Sequence, residues 1–123
     1  MEKIKNVSFL KCNFLESDAK EQILSFFGKK LDVVVSDMAA NTTGNKNLDC
    51  IRTNLLCAEV INFFTRLLKP NGILIAKLFM GEDFLEVKHM AKEKFKKIDF
   101  FKPESSRNES KETYIHCSSL NAL

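Results

Sequence analysis

The sequence predicts an α/β fold, a mostly parallel sheet with an antiparallel final strand, on three observations. Two apolar runs, LDVVVS at 31–36 and ILIAKLF at 73–79, lack polar alternation, the pattern of strands covered on both faces in a parallel sheet. Between them, 49–68 reads as one long amphipathic helix, so the unit is strand–helix–strand with the helix as crossover. The last two strand candidates, 98–101 and 112–117, are separated by only ten residues. That is too short for a helical crossover and makes the final pair antiparallel.

The 123 residues suffice for one domain, 1–123, with a modest core. A short strand is expected at 7–12. A helix follows at 19–27, with Ser17 or Asp18 as its cap and Gly28 as its stop. After the strand at 31–36 comes the polar loop DMAANTTGNKNL. In the helix at 49–68, Cys57, Val60, Ile61, Phe64 and Leu68 share one side, opposite Arg52, Glu59 and Arg66. Lys69-Pro70-Asn71-Gly72 supplies the breakers that end it. A further helix at 83–95 turns Phe84, Val87, Ala91 and Phe95 inward. Alternating strands and helices of these lengths imply a right-handed, doubly wound sheet.

Composition narrows the class. Hydrophobic residues make up 45% and charged residues 28%, which excludes a disordered tail. No run approaches the ~18 apolar residues of a membrane span, and MEKIKNVSF lacks the apolar core of a signal peptide. A cytoplasmic location is expected. The four cysteines, at 12, 50, 57 and 117, form no C-x-x-C, so they read as buried thiols rather than a disulfide frame or zinc site. Neither His89 nor His116 has metal-ligand partners at useful spacing, and no metal site is expected. Lys88, Lys92, Lys94, Lys96, Lys97 and Lys102 crowd into fifteen positions of a chain whose net charge is only +3. They form either a phosphate-binding patch or a solvated helix face.

In open α/β sheets, ligands bind beyond the carboxyl ends of the strands. That rule selects Asp37, after the 31–36 strand, and Lys77, near the end of ILIAKLF. An ammonium inside an apolar strand is costly unless it is paired or loses its proton. Burial lowers a lysine pKa, which makes a base of it near neutral pH. The alternatives are a structural ion pair with Asp37 or a side chain that snorkels from an edge. Glu112 opens the last strand, sharing a face with Tyr114 and His116, while Thr113, Ile115 and Cys117 take the other.

Ordered motifs add a resemblance. Ser36-Asp37-Met38-Ala39-Ala40-Asn41 resembles the S-D-M-A-P-N motif of the FtsJ/RrmJ family of RNA ribose 2′-O-methyltransferases. Pro70-Asn71-Gly72 and Ala76-Lys77-Leu78-Phe79-Met80-Gly81-Glu82 continue the match, the latter similar to V-K-V-F-Q-G-E. Lys102-Pro103-Glu104-Ser105-Ser106-Arg107 and Ser110-Lys111-Glu112-Thr113-Tyr114 are similar to K-P-x-S-S-R and S-R-E-x-Y. The resemblance implies a partial Rossmann-like, S-adenosylmethionine-dependent methyltransferase fold. It implies methylation of the 2′-hydroxyl of a uridine in large-subunit ribosomal RNA, so the partners are that RNA or the large ribosomal subunit. Lys77 becomes the proton acceptor, with Asp37 and Glu112 orienting it. Asn13 and Asp37 become cofactor contacts, and Lys102, Ser106 and Arg107 contacts to RNA. Transfer-RNA or cap ribose methylation uses the same groups, and an inactive fragment binding RNA or a partner through its basic face is the alternative of another class.

The resemblance also shows departures. The family's glycine-rich cofactor loop should precede these motifs, yet Gly28, Gly44, Gly72 and Gly81 form no G-x-G. The family's first catalytic lysine and its acidic ribose-binding residue are missing as well. Its G-D-F aligns with Cys12-Asn13-Phe14, where Asn13 keeps a carbonyl acceptor without the charge. The chain thus reads as the N-terminally truncated, C-terminal portion of an FtsJ-type domain. Its sheet is expected to have an exposed edge, filled by the 7–12 strand, by a complementing N-terminal segment or by self-association. Weak or absent cofactor binding is expected of the isolated chain.

Overall fold

A computed structural model describes residue 14 and residues 17–38, 44–80, 83–102 and 112–121. The elements are α1 (Ser17–Phe26), β1 (Leu31–Ser36), α2 (Lys46–Phe64), β2 (Leu68–Phe79), α3 (Phe84–Lys94), β3 (Phe95–Phe101) and β4 (Glu112–Leu120). The strands form one sheet in the order β1-β2-β4-β3. β1 and β2 are parallel, while β4 runs antiparallel to both β2 and β3. Three strands therefore share a direction and the last opposes them, as the short 102–111 connection demands. The expected strand at 7–12 lies outside the described residues.

α2 starts and stops earlier than its apolar pattern suggests. Asn45 caps it, its side chain accepting from Leu48 N at 3.2 Å, which satisfies one of the unpaired N–H groups of the first turn. At the other end the helix stops at Phe64, and Lys69-Pro70-Asn71-Gly72 belongs to β2 instead of acting as helix breakers. The parallel pairing decides this: Leu31 N donates to Leu67 O at 2.6 Å, and Leu31 pairs with Leu68. A register shift between Leu31 and Val33 accommodates Pro70, which has no N–H to give a ladder. Gly72 is required there, because a Cβ would lie 2.9 Å from the Leu68 side chain and 3.2 Å from Asp32 O.

Burial is one-sided. Leu74, Ala76 and Leu78 of β2 and Ile115 and Cys117 of β4 are inaccessible, packed with Val60, Ile61, Val87 and Ala91 of the helices. Strand periodicity sends their neighbours to the opposite face, where Val33 is 54% and Val35 66% exposed. β1 was expected to be covered on both faces within a doubly wound sheet. The described helices cover only one, and Val33–Ile73 and Val35–Ile75 stand side by side on the other.

Asn54 anchors the end of β2 that carries Lys77. It is 1% exposed. Its amide donates to Phe79 O at 2.9 Å and Asp83 Oδ1 at 2.8 Å, while its carbonyl accepts from Phe79 N at 2.7 Å. One α2 side chain thereby ties the end of β2 to the start of α3. We expect Asn54→Leu to lower unfolding free energy by roughly 2–4 kcal/mol, because it strands buried partners. Urea denaturation checks this, and an unchanged midpoint would contradict the clamp. Among the described residues Cys57 and Cys117 are buried and free, and burial pushes each thiol up to about 12. Thiol reagents should therefore modify half-buried Cys50 in the folded protein, and these two only on unfolding.

Candidate active site

The site is assembled by sheet register at the carboxyl ends of β1 and β2. Lys77 lies on the face without helices, two residues before the end of β2. In the adjacent β4, Tyr114 is its cross-strand partner, and Glu112 pairs with Phe79. Asp37 follows the last residue of β1. Lys77 Nζ is 3.0 Å from Asp37 Oδ1 and 3.5 Å from Glu112 Oε2, with the lysine side chain 14% exposed. Tyr114 Oη donates to the same Asp37 oxygen at 2.7 Å. The Tyr114 ring stacks on Phe101 at 5.6 Å, which fixes the direction of its hydroxyl.

Electrostatics follow from this geometry. The Tyr114 hydrogen bond, and then that of Lys77, hold the Asp37 carboxyl below its ordinary range. Tyr114 is raised, first because its hydroxyl is held by Asp37. At Lys77, burial favours the neutral amine, but the Asp37 hydrogen bond and the charges of Glu112 and Asp37 outweigh it. The lysine pKa is therefore raised, not lowered as burial alone suggests. Two carboxylates within reach compensate the ammonium for the water it gave up. The resting site is an ion-paired ammonium, with Asp37 as the nearer partner rather than a lysine that snorkels from an edge.

Asp37 and Glu112 come together at the Lys77 ammonium. Tyr114 joins them unforeseen: alternation put it on the right face, but only register sets it beside Lys77. Lys102 follows β3 directly after Phe101, near Tyr114. Asn13, Ser106 and Arg107 lie outside the described residues. Among the described residues no group of His, Cys, Asp or Glu is placed to hold a metal ion, and no helix is long and apolar enough to cross a membrane.

The model of the FtsJ-like methyltransferase family matches residues 1–120. The chain belongs to the FtsJ-like family. It is 44% identical over 120 residues to a ribosomal RNA large subunit methyltransferase E of Pelagibacter ubique, covering 98% of this chain and 59% of that protein. Against the Rickettsia rickettsii (strain Sheila Smith) protein of the same name it is 44% identical over 115 residues, covering 94% of this chain and 51% of the other. The chain thus spans little more than half the length of these curated relatives. A ribosomal RNA methyltransferase structure from Plasmodium falciparum shares the fold, with a TM-score of 0.81 at 24% identity, over 98% of this chain and 67% of that one.

For an FtsJ-like chain the implied methyl donor is S-adenosylmethionine, and the described residues do not make its cradle. Gly28, Gly44 and Gly72 lie too far apart in sequence to form the G-x-G turn of a nucleotide-type cradle. Gly72 is crowded only by its own strand and β1. What these residues offer is a polar cluster at the strand ends.

Two outcomes follow. Tyr114→Phe should move the Asp37 pKa upward, toward the ordinary carboxylate range, while the ion pair with Lys77 remains. Carboxyl-carbon NMR titration reads this directly, and an unmoved pKa would show that the tyrosine does not polarise Asp37. Calorimetric titration of the 123-residue chain with S-adenosylmethionine should show no saturable binding in the micromolar range.

Proposed function

We propose that this chain carries the acceptor side of an S-adenosylmethionine-dependent methyltransferase acting on the 2′-hydroxyl of a uridine in large-subunit ribosomal RNA. The observation that carries this reading is Lys77, held 3.0 Å from Asp37 and 3.5 Å from Glu112 at the strand-end rim of an FtsJ-like fold. In this proposal the Lys77 amine takes the proton of the ribose hydroxyl, and Asp37 and Glu112 aim the amine and balance the resulting ammonium. Tyr114 positions Asp37. A ligand that seats positive charge beside Lys77, or neutralises Asp37, lowers the lysine pKa toward the working range. Asn13 and Asp37 face the donor, and Lys102, Ser106 and Arg107 the RNA.

In the same proposal, 1–123 is the C-terminal portion of the methyltransferase domain. The open apolar face beside Val33 and Val35 receives the rest of the fold, which brings the cofactor cradle. The cytoplasm is the proposed compartment. The raised Lys77 pKa favours a second reading, in which the ion pair is structural and the chain binds RNA without methyl transfer.

Both readings are tested by methyl transfer to ribosomal particles and naked RNA, with and without a supplied segment completing the domain. The first expects transfer only in the completed protein, and Lys77→Ala should slow it by roughly 10²–10⁴-fold. Because the ammonium predominates below its raised pKa, single-turnover rate should climb about tenfold per pH unit toward alkaline pH until the amine is free. Full activity of Lys77→Ala, or a flat profile, would reject the lysine as acceptor. RNA binding with no transfer in any arm selects the second reading.

A further inference from the structure

The lysine cluster of the third helix and strand does not gather at the active-site rim. Lys94 ends α3 and Lys96 lies near the start of β3. Both face a cavity of about 890 Å³ at the other end of the sheet, where β2 begins and β4 ends. Lys20, Lys30 and Arg66 complete its basic lining, against the single carboxylate of Glu59. The lining thus has an excess of four positive charges, while the whole chain has a net +3. All of the excess basicity of the protein is accounted for at this one place.

Three features separate this cavity from an ordinary solvated face. Its cations come from α1, the turn before β1, the turn after α2, α3 and β3, so no single amphipathic element produces them. Glu59 is bound to Lys20 at 2.7 Å, and among the described residues the other four cations have no carboxylate partner. The Lys30 ammonium donates to the Arg66 carbonyl, which joins two of the contributing turns. Arg66 and Lys94 lie at helix C-termini, where a cation also offsets the macrodipole, but Lys20, Lys30 and Lys96 have no such role.

We propose that this cavity is a second RNA-backbone site, distinct from the rim that holds Lys77. The proposal rests on the reading of the chain as RNA-directed. Cations spread around an open groove suit successive phosphodiesters, which supply most of the affinity in nucleic-acid complexes without reading sequence. Among the described strands β3 lies at the other edge of the sheet and joins the two sites, with Lys96 near one end and Lys102 beyond the other. The six intervening steps at ~3.3 Å place them ~20 Å apart. One RNA strand running along this edge can therefore reach the cavity while a ribose lies at the rim, and the far contact fixes its direction across the active site.

The test is fluorescence anisotropy of the 123-residue chain with labelled oligouridylate across a salt series. The combined variant Arg66→Gln, Lys94→Gln and Lys96→Gln should weaken binding about tenfold or more. It should also flatten the dependence of log affinity on log salt by about 2, at ~0.7 per lost phosphate contact. Lys102→Gln alone should change that slope by less than one. Charge reversal at Lys96, an exposed strand residue, provides a variant with little structural burden and should weaken binding further. Unchanged affinity and slope in the combined variant, or no RNA binding by the parent chain, overturns the proposal. Equal displacement by polyglutamate overturns it as well, assigning the patch to acidic polymers. Failure of methyl transfer with cavity-dependent RNA binding intact leaves this site standing and removes only the catalytic reading.

Discussion

Lys77 puts an ammonium in a strand whose alternate residues, Leu74, Ala76 and Leu78, are completely buried. Such a charge is tolerable only if carboxylates reach it, and the carboxylates come from two different strands. Asp37 arrives at the end of parallel β1, and Glu112 at the start of antiparallel β4. A one-residue slip in either pairing would turn Glu112 or Lys77 toward the helices. The site therefore depends on the insertion of β4 between β2 and β3, which a short connection imposes, and on Asn54, which fixes where β2 ends.

The same sheet explains why the chain offers chemistry on one face and a core on the other. Helix α2 covers Leu74, Ala76 and Leu78 of β2, and α3 packs against α2 and β3. The odd-numbered residues form a surface that is apolar near β1 and charged at the rim. Among the described strands β1 lies at the sheet edge, and its Val33 and Val35 are exposed. Such an edge is a template for another segment, and a Rossmann-like sheet places its ligand where strand order reverses. The apolar patch and the polar rim are thus neighbours for one reason: both belong to the uncovered side.

The electrostatic character of Lys77 changes the mechanistic emphasis. Burial alone would have made it a poised base, but paired carboxylates make it a stable cation. In the proposed acceptor role, proton uptake then requires a change in its surroundings, which would couple the amine to occupancy of the site. With its pKa raised, Lys77 is held protonated, and free amine is scarce while Asp37 and Glu112 stay paired to it.

Periodicity and chain length determined the order of elements, the direction of the last strand and the faces of Glu112, Tyr114 and Thr113. These are local properties, set by side-chain spacing and by how far ten residues can travel. Asp37 and Lys77 were legible for the same reason, since each sits at a strand end that the sequence marks, whereas Glu112 on its own reads as a solvated strand-end carboxylate and was singled out by its motif. Register was not legible. The partnership of Tyr114 with Asp37, the clamp at Asn54 and the fate of Lys69–Gly72 all depend on which strands pair, and pairing is decided across the chain. The division of one lysine run between two ends of a sheet, and the sign of the Lys77 shift, likewise belong to tertiary structure. Both depend on groups distant in sequence that only packing brings within a few ångströms.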